Sequence, residues 1–505
     1  MAFAKIYSVQ NVLLDAKIIS IEVDLSKGLY AFNIVGLPDK AVEESKDRVG
    51  AAIKNSGYKS PKKKNQKIVV SLAPADLKKE GPNFDLGIAM AYLLASKDIK
   101  FKPEKKIFLG ELSLDGKLQK IKGVLPLVKH VKEKGFEEIY LPHQNAKEGA
   151  LIDGVKVYGA NNLKEIVEHL ENKKLLKATP RTEVKYLISD YDYDFSDIKG
   201  QEGAKRGIEI AAAGGHNIAM YGPAGTGKTM LARAFGTILP QFDFEEVLEV
   251  TAIHSVSGEL GENLITNPPF RSPHHTSSYV SLVGGGTFPK PGEVTLAHRG
   301  VLFLDEFPEF ERRVVESLRQ PLEDRVVSIS RAKGSATFPA NFILIAAMNP
   351  CPCGNFGTKK ICNCSPISID RYKKKLSGPI MDRIDLWVEV ADVQHDKLTE
   401  KGSGGESKEI RKRVIDAREK QKNRFNKLKI KTNSEMGAKE ITNIIQLSSE
   451  VKNILNESAR KLDLSARSYH KIIKLAQTIA DLENSAKIEG GHILEALQYR
   501  PKIFN

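Results

Sequence analysis

The sequence predicts an α/β protein built on a parallel sheet over about residues 196–395. An α+β region over 1–170 precedes it and a helical region over 396–505 follows. Three observations predict this. Strand-like and helix-like stretches alternate through 196–395, as a parallel sheet with crossover helices requires. One strand-like run there opens directly into a glycine-rich loop and a helix. The last region is helical and follows the break Lys401-Gly402-Ser403-Gly404-Gly405.

The elements follow in chain order. Ile18-Ile19-Ser20-Ile21-Glu22-Val23, Lys67-Ile68-Val69-Val70-Ser71-Leu72 and Glu138-Ile139-Tyr140-Leu141 read as strands. Lys40 to Asn55 has helical apolar spacing at Val42, Val49 and Ile53 and stops at Gly57. Phe84 to Ser96 reads as a largely buried helix. Residues 171–195 form a charged linker with Pro180 and the run Asp190-Tyr191-Asp192-Tyr193-Asp194-Phe195.

Composition bounds the function. At 505 residues the chain is too long for one ordinary core, so about two to four domains are expected. Lys+Arg total 77 against 63 Asp+Glu, a net charge of +14, which leans towards a polyanionic partner without separating nucleic acid from acidic lipid. With 41% hydrophobic and 28% charged residues the chain is neither disordered nor fibrous. A total of 4 cysteines argues against a disulfide-stapled secreted scaffold. The start, MAFAKIYSVQNVLLDAKIISIEV, lacks a signal-peptide core, and no stretch reaches the roughly 18 apolar residues of a spanning helix. A cytoplasmic protein without a membrane role is expected.

Asn217-Ile218-Ala219-Met220-Tyr221 reads as a strand, followed by Gly222-Pro223-Ala224-Gly225-Thr226-Gly227-Lys228-Thr229 and a helix from Met230. The glycines let backbone N–H groups converge on phosphate oxygens, Lys228 reaches the terminal phosphates of ATP, and Thr229 offers a hydroxyl to Mg²⁺. Downstream, Val301-Leu302-Phe303-Leu304 is an apolar strand ending in Asp305, for the Mg²⁺ shell, and Glu306, to deprotonate the attacking water. A third apolar strand, Phe342 to Met348, ends at Asn349, whose amide can polarise that water or sense the γ-phosphate. Arg383 and Arg467 are candidates for a nucleotide contact, surface solvation being the usual role of an arginine.

All four cysteines fall in Cys351-Pro352-Cys353-Gly354-Asn355-Phe356-Gly357-Thr358-Lys359-Lys360-Ile361-Cys362-Asn363-Cys364. Cys351, Cys353, Cys362 and Cys364 can meet at one tetrahedral Zn²⁺. Free or redox-active thiols and an iron–sulfur cluster are the other readings.

These motifs, with Phe270-Arg271-Ser272-Pro273-His274-His275-Thr276-Ser277-Ser278, Pro289-Lys290-Pro291-Gly292-Glu293-Val294-Thr295-Leu296-Ala297-His298-Arg299-Gly300 and Met348-Asn349-Pro350-Cys351-Pro352-Cys353-Gly354, resemble the magnesium-chelatase-like AAA+ ATPases. Together with the N-terminal region they match the ComM/YifB family over essentially the whole chain. The resemblance implies an AAA+ core with a helical lid and a ring, a hexamer, that moves DNA by branch migration during natural transformation or homologous recombination, with recombination proteins as further partners. By resemblance, Lys228 and Thr229 are the Walker A pair, Asp305 and Glu306 the Walker B pair, and Asn349 sensor 1. Arg383 is the arginine finger reaching a neighbouring subunit, with Arg371 a weaker candidate, and Arg467 is the sensor 2 arginine. Gly200-Gln201 resembles the segment beside the adenine. A magnesium-chelatase-type motor subunit and a protein-remodelling ATPase without a DNA role remain the alternatives.

Arg325 to Phe338 alternates on both sides of a Lys333-Gly334 tip and reads as a β-hairpin. Members of this group aim such a hairpin into the pore, where Arg331 and Lys333 would contact DNA phosphates without reading sequence; a solvated basic tip is the other reading. Residues 271–299 would form a second pore-facing insertion, with 281–286 a mobile loop. His274 and His275, being adjacent, make a poor metal pair and have no assigned role. Lys59, Lys62, Lys63, Lys64 and Lys67 form another basic cluster, of the kind that is usually solvated.

Lys79-Glu80-Gly81-Pro82-Asn83-Phe84-Asp85 and Gly110-Glu111-Leu112-Ser113-Leu114-Asp115-Gly116 resemble Lon proteases, implying a Lon-protease-like N-terminal domain. Asn83 stands at the serine position and Leu125 at the lysine position, so no proteolysis is expected.

Overall fold

The alternation of apolar residues seen in the first region has a direct structural outcome. Along Asp15–Lys27, Ile19, Ile21, Val23 and Leu25 are buried and their immediate neighbours are not. The computed structural model describes residues 2–186, 193–261, 263–286, 290–331, 334–358, 360–392 and 406–501. The stretch 190–192, the 401–405 break and Lys333 lie outside them. The chain divides into two compact units, residues 1–185 with 247–264, and residues 186–246 with 265–505.

The first unit is built on a seven-stranded mixed sheet, ordered Ala31–Val35, Gln66–Ala73, Asp15–Lys27, Ala2–Val12, Lys106–Phe108, Glu138–Pro142, Lys156–Ala160. The three strands read from sequence are all present. The helix read over 40–55 is two helices, Lys40–Glu43 and Ser45–Asn55. Asp85–Ala95 is buried along almost its whole length. Its first residue, Asp85, is fully buried and holds the unit together through Arg48 Nε at 2.7 Å, the Ser45 hydroxyl and the Leu112 N–H at 3.2 Å. Burial pushes its carboxyl up, and the Arg48 guanidinium opposes that shift.

Residues 247–264 fall within 196–395, yet their contacts group them with the first unit. Ser255 is the anchor. Its hydroxyl donates to the Glu148 carboxylate and accepts the Gly123 N–H at 3.0 Å. The Glu148 carboxylate also accepts the Leu125 N–H at 2.9 Å, at the start of the helix Val124–Glu133. A carboxylate at that helix end satisfies an N–H that the helix itself cannot.

The second unit is a five-stranded parallel sheet, ordered Phe270–Arg271, Val301–Leu304, Ile343–Met348, Ile218–Tyr221, Leu386–Glu389. Every residue of Val301–Leu304 and Ile343–Met348 is buried, which explains why these strands are apolar without alternation. The helices Glu202–Gly214, Lys228–Ile238, Glu406–Arg424 and Ala466–Leu482 complete its core. Inside it Arg424 grips Asp481 with two bonds of 2.8 and 2.5 Å, and Asn433 donates to the same carboxylate at 2.9 Å. Among the described residues no helix is long and apolar enough to cross a membrane.

Glu148→Ala would strand the Leu125 N–H and the Ser255 hydroxyl in the interior, at a cost of about 1–3 kcal/mol for each group. Hydrogen exchange should show loss of protection at the Gly123 and Leu125 amides with the central strands still protected. Unchanged protection there would contradict this assignment.

Candidate nucleotide site

Parallel strands bring their carboxyl ends to one edge of the sheet, and the chemistry of this chain collects there. Ile218–Tyr221 lies between Ile343–Met348 and Leu386–Glu389, so the loop it feeds emerges beside Asn349. Gly222 has no room for a side chain, since a Cβ would sit 2.0 Å from the Val390 carbonyl oxygen. Gly225 and Gly227 have φ of +81° and +90°, a conformation natural to glycine. The helix Lys228–Ile238 starts with its N-terminus facing the loop.

Lys228 is 8% exposed. Its ammonium donates to the carbonyls of Gly222 at 2.7 Å and Pro223 at 2.6 Å and to Asn349 Oδ1 at 3.1 Å. No carboxylate lies within ion-pair distance of it among the described residues, and burial lowers its pKa to about 8. A buried cation held only by neutral oxygens fits an anionic ligand. Thr229 Oγ1 donates to Asp305 Oδ2 at 2.9 Å. A hydroxyl and a carboxylate side by side are the hard oxygen donors that suit Mg²⁺. The residues present therefore fit ATP with Mg²⁺.

Glu306 follows Asp305 at a left-handed φ of 51°, and its N–H is capped by Asp305 Oδ1 at 2.9 Å. Its carboxylate stands 3.2 Å from His275 Nδ1, a contact between positions 31 apart that no local pattern signals.

Arg383 and Arg467 meet each other on one carboxylate. Both pair with Glu323, Arg467 at 2.8 Å. They line a cleft of about 520 Å³ with Arg325, Lys471 and Lys474, and no residue of the phosphate loop lines it. Burial lowers both lysines, whose amines rest on the carbonyls of Ile384 and Ser434. Asn217 fixes the base of this arrangement, donating to the Arg383 carbonyl at 3.0 Å and accepting the Leu344 N–H at 2.8 Å. Sequence reading missed Glu323 and Asn217, whose partners are distant along the chain. Arg371 lies on the helix Pro366–Lys373, and Gln201 donates to the Ala391 carbonyl.

The four cysteine sulfurs lie within 4.8 Å of one another, with separations of 3.4, 3.6 and 3.8 Å among Cys351, Cys353 and Cys362. Zn–S bonds of about 2.3 Å in a tetrahedron place sulfurs about 3.8 Å apart, so the cluster fits Zn²⁺. The Asn355 N–H, followed by the neighbouring thiols, draws the Cys353 thiol down to about 6. Gly354, at φ +79°, packs this loop against Ala224 of the phosphate loop.

The hairpin pairs Val326–Arg331 with Gly334–Pro339, Arg331 facing Gly334 across the turn. Val327, Ile329, Ala336 and Phe338 are buried on one face. The segment read as a loop at 281–286 instead ends a short helix, Tyr279–Val283, and pairs Gly284–Gly285 with Lys290–Pro291. The reason is close approach: a Cβ on Gly284 would meet the Lys290 carbonyl oxygen at 2.4 Å. Of the basic cluster, Lys62 and Lys64 pair with Asp47 and Asp98 at 3.4 and 2.8 Å. In the first unit Leu125 is buried, and the Lys79 amine is buried against the carbonyls of Pro74 and Leu77.

Family models match the chain in three stretches. "Subunit ChlI of Mg-chelatase" matches residues 21–145, "Magnesium chelatase, subunit ChlI" 194–398, and "Magnesium chelatase, subunit ChlI C-terminal" 404–500. The chain is 42% identical to competence protein ComM of Haemophilus influenzae over 511 residues, 100% of this chain and 98% of that one. It is 42% identical to YifB of Escherichia coli over 485 residues, 95% of this chain and 94% of that one. Lon protease 2 of Bacillus subtilis is 32% identical over 146 residues, 27% of this chain and 26% of its own length.

Phosphate favours the charged form of Lys228, whose pKa without it is about 8. Nucleotide binding at about pH 9 should therefore take up close to one proton, and at about pH 6.5 none from this group. Calorimetry in buffers of different ionisation enthalpy measures it, and no uptake at the higher pH would contradict the assignment. Protein purified without chelator should carry about one Zn per chain, falling in Cys351→Ser and Cys362→Ser. A content below about a tenth of an equivalent would count against the zinc site.

Proposed function

The chain belongs to the ComM/YifB family of magnesium-chelatase-like AAA+ ATPases, and from that premise we propose that it is a ring motor that spends ATP to move branched DNA. The observation that carries the catalytic part is the meeting of Lys228, Thr229, Asp305 and Asn349 at one sheet edge. Lys228 holds the terminal phosphates and Thr229 and Asp305 hold Mg²⁺, which neutralises phosphate charge when bound. Glu306 takes the proton from the attacking water, and Asn349 keeps Lys228 in place and orients that water.

Arg383 belongs to the other side of the ring interface. The cleft that it lines contains no phosphate-loop residue, which supports delivery to a neighbour's γ-phosphate. Arg467 shares its Glu323 partner, so it would serve the same neighbour. Six such interfaces would close a hexamer.

The DNA reading rests on the hairpin, whose strands end at Arg331 and begin again at Gly334, on the basic residues Arg331 and Lys333 of that stretch of sequence, and on the family. ComM of Haemophilus influenzae is a competence protein. We propose that this chain works in the cytoplasm, migrating branch points in natural transformation or homologous recombination beside recombination proteins. Asn83 and Leu125 leave no serine–lysine pair, so the first unit acts in assembly or docking and not in proteolysis. Zinc at the cysteines would stiffen the loop beside Ala224.

ATPase rate with and without forked or four-way DNA, at several salt concentrations, tests this. Stimulation that weakens as salt rises is expected. No stimulation and no salt-sensitive binding would remove the DNA reading and favour a chelatase-type or protein-remodelling motor. Glu306→Gln should bind nucleotide and lose turnover by about 10²–10⁴-fold. Normal hydrolysis would show that another group is the base.

A further inference from the structure

A cavity of about 90 Å³ lies in the second unit at the edge of the sheet opposite to Lys228. Gly300 and Ile343 line it, so it opens where the strands Val301–Leu304 and Ile343–Met348 begin, whereas the phosphate loop follows a strand end. No residue from Gly222 to Thr229 lines it. A cavity needs about 10–15 Å³ to admit one water, so this one has room for an ion the size of phosphate. Leu239, Phe242 and Phe342 supply apolar wall, and Arg299, Arg418 and Lys431 bring three cations.

The pairing around the cavity is uneven. Lys431 meets Glu246 at 2.8 Å and Asp243 at 3.3 Å. Glu435 is taken by Arg325 at 3.5 Å, by the Asn341 amide at 3.0 Å and by the Lys431 N–H at 3.0 Å. Arg418 is served differently. Its Nε and Nη2 both donate to the Ala212 carbonyl, at 3.1 and 2.6 Å. Its Nη1 makes no hydrogen bond, and no carboxylate stands within ion-pair distance of it, among the described residues. Burial draws its guanidinium down to about 10, Glu435 and Glu246 pulling the other way and Arg299 adding to the fall. A desolvated guanidinium with an idle N–H group is costly to keep, and an oxyanion is the partner its planar fork matches.

We propose that Arg418, with Arg299 beside it, forms a second anion site that takes a free oxyanion of phosphate size. The cavity sets the class of ligand. It is well below the roughly 300 Å³ at which pockets for larger organic ligands begin. Its three cations face two carboxylates, Glu246 and Glu435, which leaves one charge for the ion to neutralise. The position gives the ion something to join. Arg418 lies on the helix Glu406–Arg424, and Arg299 and Asn341 precede the strands that end at Asp305 and Asn349. An ion held between them ties that helix to the starting ends of both strands.

Inorganic phosphate is the probe, and full-length Lys228→Ala protein is the background, which weakens the phosphate loop as a competing site. Equilibrium dialysis with labelled phosphate should show about one ion per chain at about 10 mM. Arg418→Met in the same background should weaken binding by about 10- to 100-fold, the loss of charge-assisted hydrogen bonds. Arg418→Lys, which keeps the charge without the fork, should weaken it by less. No phosphate bound in the Lys228→Ala background, or equal binding with and without Arg418→Met, overturns the proposal. Should Arg418→Met not fold, Arg299→Met is read by the same criteria. A nucleic acid backbone is the other source of the same chemistry. A short single-stranded oligonucleotide should leave the labelled phosphate in place, being too large for the cavity. Displacement by it would assign the site to the backbone and overturn the free ion as its occupant.

Discussion

A buried ammonium that has no carboxylate within ion-pair distance among the described residues organises the nucleotide site. Lys228 is hydrogen-bonded to carbonyl and amide oxygens, and burial already disfavours its charge. Such a group is costly until an anion arrives. Its position depends on the sheet: Ile218–Tyr221 must lie between its two parallel neighbours for the loop to face Asn349. The buried, unalternating strands are therefore part of the site's geometry as well as of its stability.

The basic groups that would complete hydrolysis are neutralised in a different place. Arg383 and Arg467 close on Glu323, and Asn217 links the Arg383 backbone to the strand that feeds the phosphate loop. An incoming phosphate must compete with Glu323 for both arginines. Strand and Arg383 are thus coupled within one chain, while on the proposed reading the phosphate that Arg383 serves belongs to the next. That arrangement would tie turnover to assembly.

Legibility in the sequence followed the range of the interactions. The phosphate loop was readable because a local spacing of glycines, lysine and threonine is the chemistry itself. Asp305 and Glu306 were readable because a wholly apolar strand ended on them, and the cysteine cluster because its members lie in one short stretch. The strand Ala2–Val12 was not, since it buries Ser8 and Gln10 where apolar residues would have marked it. The membership of 247–264 in the first unit hangs on Ser255 and Glu148, separated by 107 positions. The ladder at Gly284 looked like a loop because glycines signal turns, while here they allow two backbones to touch. The pairing of His275 with Glu306, and of two arginines with Glu323, is purely tertiary and left no periodicity to find.

The central claim is that a working site needs Glu306 from one chain and Arg383 from another. Mixing the Glu306→Gln and Arg383→Ala proteins, each inactive alone, tests it most directly. ATPase activity that appears on mixing, from interfaces pairing an intact Glu306 with a neighbour's intact Arg383, is the predicted result. A mixture as inactive as its components, although shown to co-assemble, would contradict the account.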